Sequence, residues 1–214
     1  TFDVHSLSHF TYTMHSGKFW LLVTSFAIAS HPAFTQDFSN KGKDFWIGYG
    51  NHVRMFNNQG AEQMQVYITS DVNTSGSVDI PGIGFHTTFS ITANQITTVN
   101  IPRAAALTDE GLFNTGIHIV SALPVVVYGF IYVSAISGAT VCLPTSVLGR
   151  EYYSVNYTQI SNDPNSYSYF FVVATEDSTV VEITPVANTK GGKPAHIPFT
   201  VSLNKGQIYQ VLGE

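Results

Sequence analysis

The sequence predicts an all-β protein of tandem, β-sandwich-like units, the second of them incomplete, with repeated propeller-like blades as the alternative. Three observations predict this. Short runs rich in Val, Ile, Thr, Tyr and Phe alternate with turn-forming clusters at intervals of about ten residues. Only 11% of the 214 residues are charged, and Ser, Thr, Asn, Gln and Tyr fill the shortfall. Finally, Gly42-Lys43-Asp44-Phe45-Trp46 returns as Gly149-Arg150-Glu151-Tyr152-Tyr153, 107 residues later, with glycine, cation, anion and two aromatics in the same order.

The stretches after each copy correspond as well. Gln65 to Asp71 is echoed by Phe171 to Asp177, Val78-Asp79-Ile80-Pro81 by Val181 to Pro185, and Phe89 to Val99 by Phe199 to Val211 with Lys205-Gly206 as an insertion. Landmarks recurring in order indicate tandem copies of one strand-rich unit. Unit one is predicted over 42–148 and unit two over 149–214. No counterpart of the Gly116 to Pro144 strands appears in unit two, which reads as truncated.

The chain begins with a leader. Residues 1–13 precede the first methionine, Met14, and are predicted to be upstream, non-native sequence. Residues 14–35 read as a signal peptide: Lys18, the apolar run Phe19 to Ala29, then small residues, a run too short to span a bilayer. In unit one, strands are predicted at Phe45–Tyr49, Met64–Ser70, Ser77–Ile80, Phe89–Thr92, Gln95–Ile101, Gly116–Ser121, Val125–Val133 and Thr140–Pro144. Ala93-Asn94 forms a hairpin turn, Pro81-Gly82 and Pro102 stop strands, and Arg103–Leu112 holds one short helical turn. Val125–Val133, almost continuously apolar, implies a strand covered on both faces or one at the centre of a packed sheet. Unit two supplies strands at Tyr152–Tyr157, Tyr167–Ala174, Thr179–Thr184, Phe199–Leu203 and Gln207–Leu212.

Composition bounds the function. The net charge of −5 carries no basic patch, which argues against nucleic acid as a partner. Cys142 is the only cysteine, so no internal disulfide is available. Asp71, Asn73 and Ser75 place oxygens at alternate positions before Gly76, as the front half of a calcium loop would, but Gly82 stands where an EF-hand needs its glutamate. These three are the metal candidates, and a hairpin turn between two strands is the preferred reading of them. Asp163 with Asn165, or Glu176 with Asp177, could bind calcium at loop tips, and solvated turns explain them equally. Asp71 with Asp79 and Glu176 with Glu182 are the carboxylate pairs a glycan hydrolase would require. Cys142 and His118 form a conceivable nucleophile and base, yet both sit in apolar, strand-like contexts with no third orienting group. No catalytic residue and no cofactor is assigned. Tyr152 to Tyr169 is an aromatic-rich stretch able to hold glycan or peptide, or to pack across a sheet. The repeated Gly-cation-anion-aromatic-aromatic motif reads as a surface ion pair beside a buried aromatic plug.

Gly42 to Tyr49, Ile68-Thr69-Ser70, Gly116 to Ile119, Pro124 to Tyr128, Leu143-Pro144-Thr145, Leu148 to Tyr153 and Val172 to Thr179 together resemble the amino-terminal domain of IgG Fc-binding proteins, over about residues 40–214. That domain occurs in animal mucus proteins and in secreted or surface proteins of Bacteroidota. The resemblance implies a secreted or cell-surface, non-catalytic binding or adhesion module with an extracellular protein or glycan as partner. It carries over no individual ligand residue. A structural spacer is the second expectation and a glycan-acting hydrolase the third.

Overall fold

The computed structural model describes residues 39–53, 63–132, 137–158 and 166–214. The predicted upstream sequence and signal peptide, with Asp163 and Asn165, lie outside the described residues. The described elements are strands and short 3-10 turns, as the all-β prediction requires. In order they are β1 (Gly42–Ile47), β2 (Gln63–Thr69), β3 (Thr74–Ile80), η1 (Pro81–Ile83), β4 (Phe85–Ile91), β5 (Ile96–Ile101) and η2 (Arg103–Ala105). Then come β6 (Gly111–Phe113), β7 (Ile117–Tyr132), β8 (Gly138–Cys142), η3 (Thr145–Val147), β9 (Ser168–Val173), β10 (Thr179–Ile183), β11 (Phe199–Leu203) and β12 (Ile208–Gly213). The predicted helical turn is η2.

β7 joins two predicted strands into one and serves two sheets. Its first arm pairs with β1 on one edge and β3 on the other, and its second arm pairs with β2 and β8. The result is β4-β3-β7-β1 and β5-β2-β7-β8, two four-stranded halves of a nearly closed, barrel-like sheet sharing one strand. The arms meet at Ala122-Leu123-Pro124, where proline has no N–H for a ladder. Side chains satisfy the backbone there instead. Ser70 Oγ donates to the Pro124 carbonyl at 3.0 Å, Ser121 Oγ to the Leu123 carbonyl at 2.7 Å, and Leu123 N–H donates to Thr74 Oγ1 at 3.1 Å. Phe45, Val66, Ile68, Val78, Ile80, Ile117, Ile119, Val125 and Val127, all wholly buried, point into the space between the halves.

β9 to β12 make the same two kinds of antiparallel pair as β2 to β5, two residues out of step with the sequence echo: Phe170 rather than Val172 takes the position of Val66, and Ile183 rather than Val181 that of Val78. The antiparallel pair β2/β5 with Val66 opposite Val99 recurs as β9/β12 with Phe170 opposite Val211. The hairpin β3/β4 with Val78 opposite Thr87 recurs as β10/β11 with Ile183 opposite Phe199. The turns match too: Asn94 N–H donates to the Ser70 carbonyl at 2.7 Å, and Gly206 N–H to the Ala174 carbonyl at 2.8 Å. Both occupy the left-handed region, with φ 62° and 79°. Lys205-Gly206 is therefore the counterpart of Ala93-Asn94 rather than an insertion. The extra length of the second copy lies in the β10–β11 connection.

Two features depart from the sequence reading. β6, a short strand not predicted, pairs with β12, giving the sheet β6-β12-β9 that joins the first copy to the second. The predicted strand Tyr152–Tyr157 has no ladder: residues 151–158 carry no regular secondary structure and are exposed. A strand exists only as half of a pair, and β1, the counterpart of this segment, is held by β7. Among the described residues the second copy contains no β7.

Candidate binding face

Side chains that point away from the core on β2 and β7 make an aromatic platform, with β5 at its margin. Period-two alternation buries Met64, Val66, Ile68, Val127 and Gly129 and turns Gln65, Tyr67, Tyr128, Phe130 and Tyr132 outward. Register sets Tyr67 opposite Tyr128 and Gln65 opposite Phe130. Tyr67 and Phe130 stack with centroids 5.4 Å apart, and Phe130 and Tyr132 follow at 6.3 Å. Tyr128 is 40% and Tyr132 46% exposed, a large apolar area left open beside polar groups. At its margin, Gln65 Nε2 donates to Asn100 Oδ1 at 2.8 Å and Tyr67 Oη donates to Gln65 Oε1 at 2.9 Å. Gln63, Gln65 and Asn100 line a shallow hollow of about 360 Å³ there. Rings that stack on apolar faces, bordered by amides that both donate and accept, suit a sugar ring or a peptide segment.

The outer face of the other half carries a different row. His86, Asp79, His118 and Trp46 stand side by side across β4, β3, β7 and β1. Asp79 bonds His86 and accepts from Ser77 Oγ at 2.9 Å. Burial would push the Asp79 carboxyl up, but the bonds from His86 and Ser77 outweigh it and hold it below its ordinary value. His118 Nε2 lies 2.8 Å from Asp44 Oδ2, and Thr145 Oγ1 donates to Asp44 Oδ1 at 3.0 Å. The His118 ring stacks on Trp46 at 4.2 Å, and Lys205 Nζ sits over the indole 5.8 Å from its centroid. The row ends against the β11–β12 turn, so it fastens the two copies together.

The structure separates the other sequence candidates. Asp71 is held by Lys41 at 3.1 Å, and Asn73 Oδ1 accepts from Ala93 N–H at 2.8 Å, while Ser75 lies exposed in β3. The bond and charge of Lys41 keep the Asp71 carboxyl below its ordinary value. Among the described residues no group of three His, Cys, Asp or Glu side chains is placed to hold a metal ion. Asp71 lies in the bend before β3 and Asp79 near the far end of that strand, and the stretch from Thr74 to Asp79 alone spans about 17 Å, too far for a hydrolytic pair. Glu176 and Asp177 lie exposed in the turn before β10, and Glu182 is exposed on β10. His118 lies on the first arm of β7, whereas Cys142 on β8 pairs with Val127 of the second arm, and Cys142 is buried, its thiol pushed up to about 11 by burial. The motif at Gly42 does hold a buried plug, Phe45, but Asp44 pairs with His118 rather than Lys43. In the second copy the plug is outside: Tyr152 is 68% and Tyr153 87% exposed.

Sequence reasoning missed the platform because its members come from strands far apart in the chain. Its one signal was the even-numbered residues of Val125–Val133, where Tyr128, Phe130 and Tyr132 alternate.

A sequence model of the family described as IgGFc binding protein matches residues 138–214. Over that stretch the chain is similar to this family. The match begins at β8 and takes in the exposed segment and all of β9 to β12; it is narrower than the motif resemblance from about residue 40. No curated protein and no solved structure matches the chain. Among the described residues no helix is long and apolar enough to cross a membrane.

Proposed function

We propose that this chain is a secreted or cell-surface, non-catalytic binding module that holds an extracellular protein or glycan on the Tyr67-Tyr128-Phe130-Tyr132 platform. The observation that carries the reading is the platform: stacked and exposed rings on the outer face of one half of the sheet, rimmed by Gln63, Gln65 and Asn100. Exposed aromatics with satisfied amides at their edge are what a recognition surface needs. The match to the IgGFc binding protein family over 138–214 supports binding as the role, and the signal-like leader supports export. Repeats meeting at residues 148 and 149 are part of the same reading.

The test is binding of the whole chain to immunoglobulin Fc, mucin and polysaccharide arrays, beside a Tyr128→Ser/Tyr132→Ser variant. Both tyrosines are exposed, so the variant keeps its core. The wild type is expected to bind one class, and the variant to lose about tenfold or more in affinity. Wild-type and variant chains binding equally, or neither binding anything presented, would sink the proposal.

A spacer role is the second reading, favoured by the close fit of the copies. A Cβ at Gly48 would meet Ile208 Cδ1 at 2.8 Å, and one at Gly50 would meet the Tyr169 ring at 2.1 Å. Rigid, rod-like scattering without ligand binding would favour it.

A further inference from the structure

The half of the sheet that bears the platform is built without charge. β2, β5, β8 and the second arm of β7, Val125 to Tyr132, contain no Asp, Glu, Lys, Arg or His between them. The other half differs: Lys43 and Asp44 lie on β1, Asp79 on β3, His86 on β4 and His118 on the first arm of β7. An uncharged face selects its ligand by what it cannot satisfy. A carboxylate, sulfate or ammonium group pressed against it would lose water and gain no opposite charge in return.

The same face withholds what a peptide uses most. β2 is paired along both edges, by β5 and β7, and the second arm of β7 by β2 and β8, so the backbone beneath the rings is committed to its ladders. Peptides laid on sheets draw affinity from a strand edge, and none lies under the platform. What remains on offer is ring surface bordered by side-chain groups. Val141, 42% exposed and opposite Tyr128, extends the apolar area, while exposed Thr98 stands opposite Tyr67 and exposed Gln63 opposite Tyr132. The Gln63 and Asn100 amides border the hollow at the margin. A sugar ring is amphipathic in the matching way, with C–H bonds on its faces and hydroxyls around its rim that both donate and accept.

Resting on the reading of the platform as a binding face, we propose that its ligand is an uncharged glycan. The C–H face of the sugar lies on the exposed Tyr128 and Tyr132 rings, and its hydroxyls bond the amides of Gln63 and Asn100. No ion pair is formed, so the affinity does not depend on ionic strength.

The experiment offers the whole chain three sets of probes, each at low salt and at about 1 M salt. They are neutral oligosaccharides of glucose, mannose, galactose and N-acetylglucosamine, oligosaccharides bearing carboxylate or sulfate groups, and immunoglobulin Fc stripped of its own glycan. A neutral oligosaccharide is expected to bind with an affinity that changes by less than about twofold between the two salt concentrations. Tyr128→Ser/Tyr132→Ser is expected to weaken it by about tenfold or more. Gln63→Ala/Asn100→Ala, altered only at exposed rim positions, leaves the rings and the core in place and is expected to weaken it by about tenfold as well. Tyrosine-dependent binding confined to the charged oligosaccharides, or lost at about 1 M salt, overturns the uncharged ligand and leaves the platform a binding face. Tyrosine-dependent binding of stripped Fc with no neutral oligosaccharide bound does the same, in favour of protein. Wild-type and tyrosine-variant chains that bind every probe equally, or bind none, overturn the reading of the platform itself.

Discussion

At the scale of single residues, Gln210 shows how one side chain ties the copies together. It is wholly buried in β12, where its Oε1 accepts from Asn51 N–H at 2.7 Å and its Nε2 donates to the Asp109 carbonyl at 2.8 Å and the Leu107 carbonyl at 3.3 Å. All three partners belong to the first copy. Gln210→Leu keeps the volume and leaves those backbone groups unsatisfied. It is expected to cost about 3 kcal/mol, read as a lower urea midpoint with unchanged slope. Nearby, Glu110 accepts from Thr189 Oγ1 at 2.7 Å and from Leu212 N–H at 3.0 Å, so the 188–193 loop is part of the same clamp. Neither Gln210 nor Glu110 stands out in the sequence. A polar residue at an alternate strand position reads as a solvated one until the tertiary neighbour is known.

At the scale of elements, turns and strands were legible and β7's bend was legible only in part. Pro124 marked a break, and the two apolar runs beside it were read as two strands. Continuity came from Ser70, Thr74 and Ser121, which bond the backbone at the break. The equivalent turns carry a more local rule. Gly206, at φ 79°, has the Trp46 ring 3.0 Å from where a Cβ would stand. Gly206→Ala is expected to cost about 1–2 kcal/mol for the left-handed backbone, with some further loss from the contact. Asn94→Gly, at the matching position with φ 62° and no such ring, is expected to be close to neutral in the same urea titration. Equal losses at both sites would show that the turns are not equivalent. The strand expected at Tyr152–Tyr157 failed for a reason of the same scale. Its residues have strand-forming chemistry, but a ladder needs a partner.

At the scale of the whole molecule, acidic stability rests on ion pairs between and within the copies. Lys190 donates to Asp109 at 2.7 Å across the copies and holds that carboxyl below its ordinary value. Asp79 and Asp71 are depressed as well. A carboxyl depressed in the folded state favours folding above the unfolded value, about 3.9, and that favour is lost as pH falls through the folded value. Lys190, raised chiefly by its bond to Asp109, works in the opposite sense: its contribution is full below the unfolded lysine value and fades as pH rises past it. Burial also holds the Tyr49 phenol neutral well above its usual range, against the Gln65 carbonyl at 2.5 Å. Urea midpoints are therefore expected to be flat near neutrality, to fall below about pH 4, and to fall again above about pH 10. Asp109→Asn is expected to shallow the acidic limb. An acidic limb unchanged by that substitution would remove the inter-copy pair from the account.

The sequence by itself determined the all-β class and most of the strands and turns, because alternation with period two and turn chemistry are local properties of the chain. Only the tertiary structure decided which face of each strand meets the core. Ile96 on β5 is 68% exposed, whereas its counterpart Ile208 on β12 is wholly buried, because β12 lies against the first copy's Gly48 and β6 while β5 faces solvent. Alternation says which residues share a face. What covers that face, here a neighbouring copy for Ile208 and solvent for Ile96, depends on packing between segments far apart in the chain.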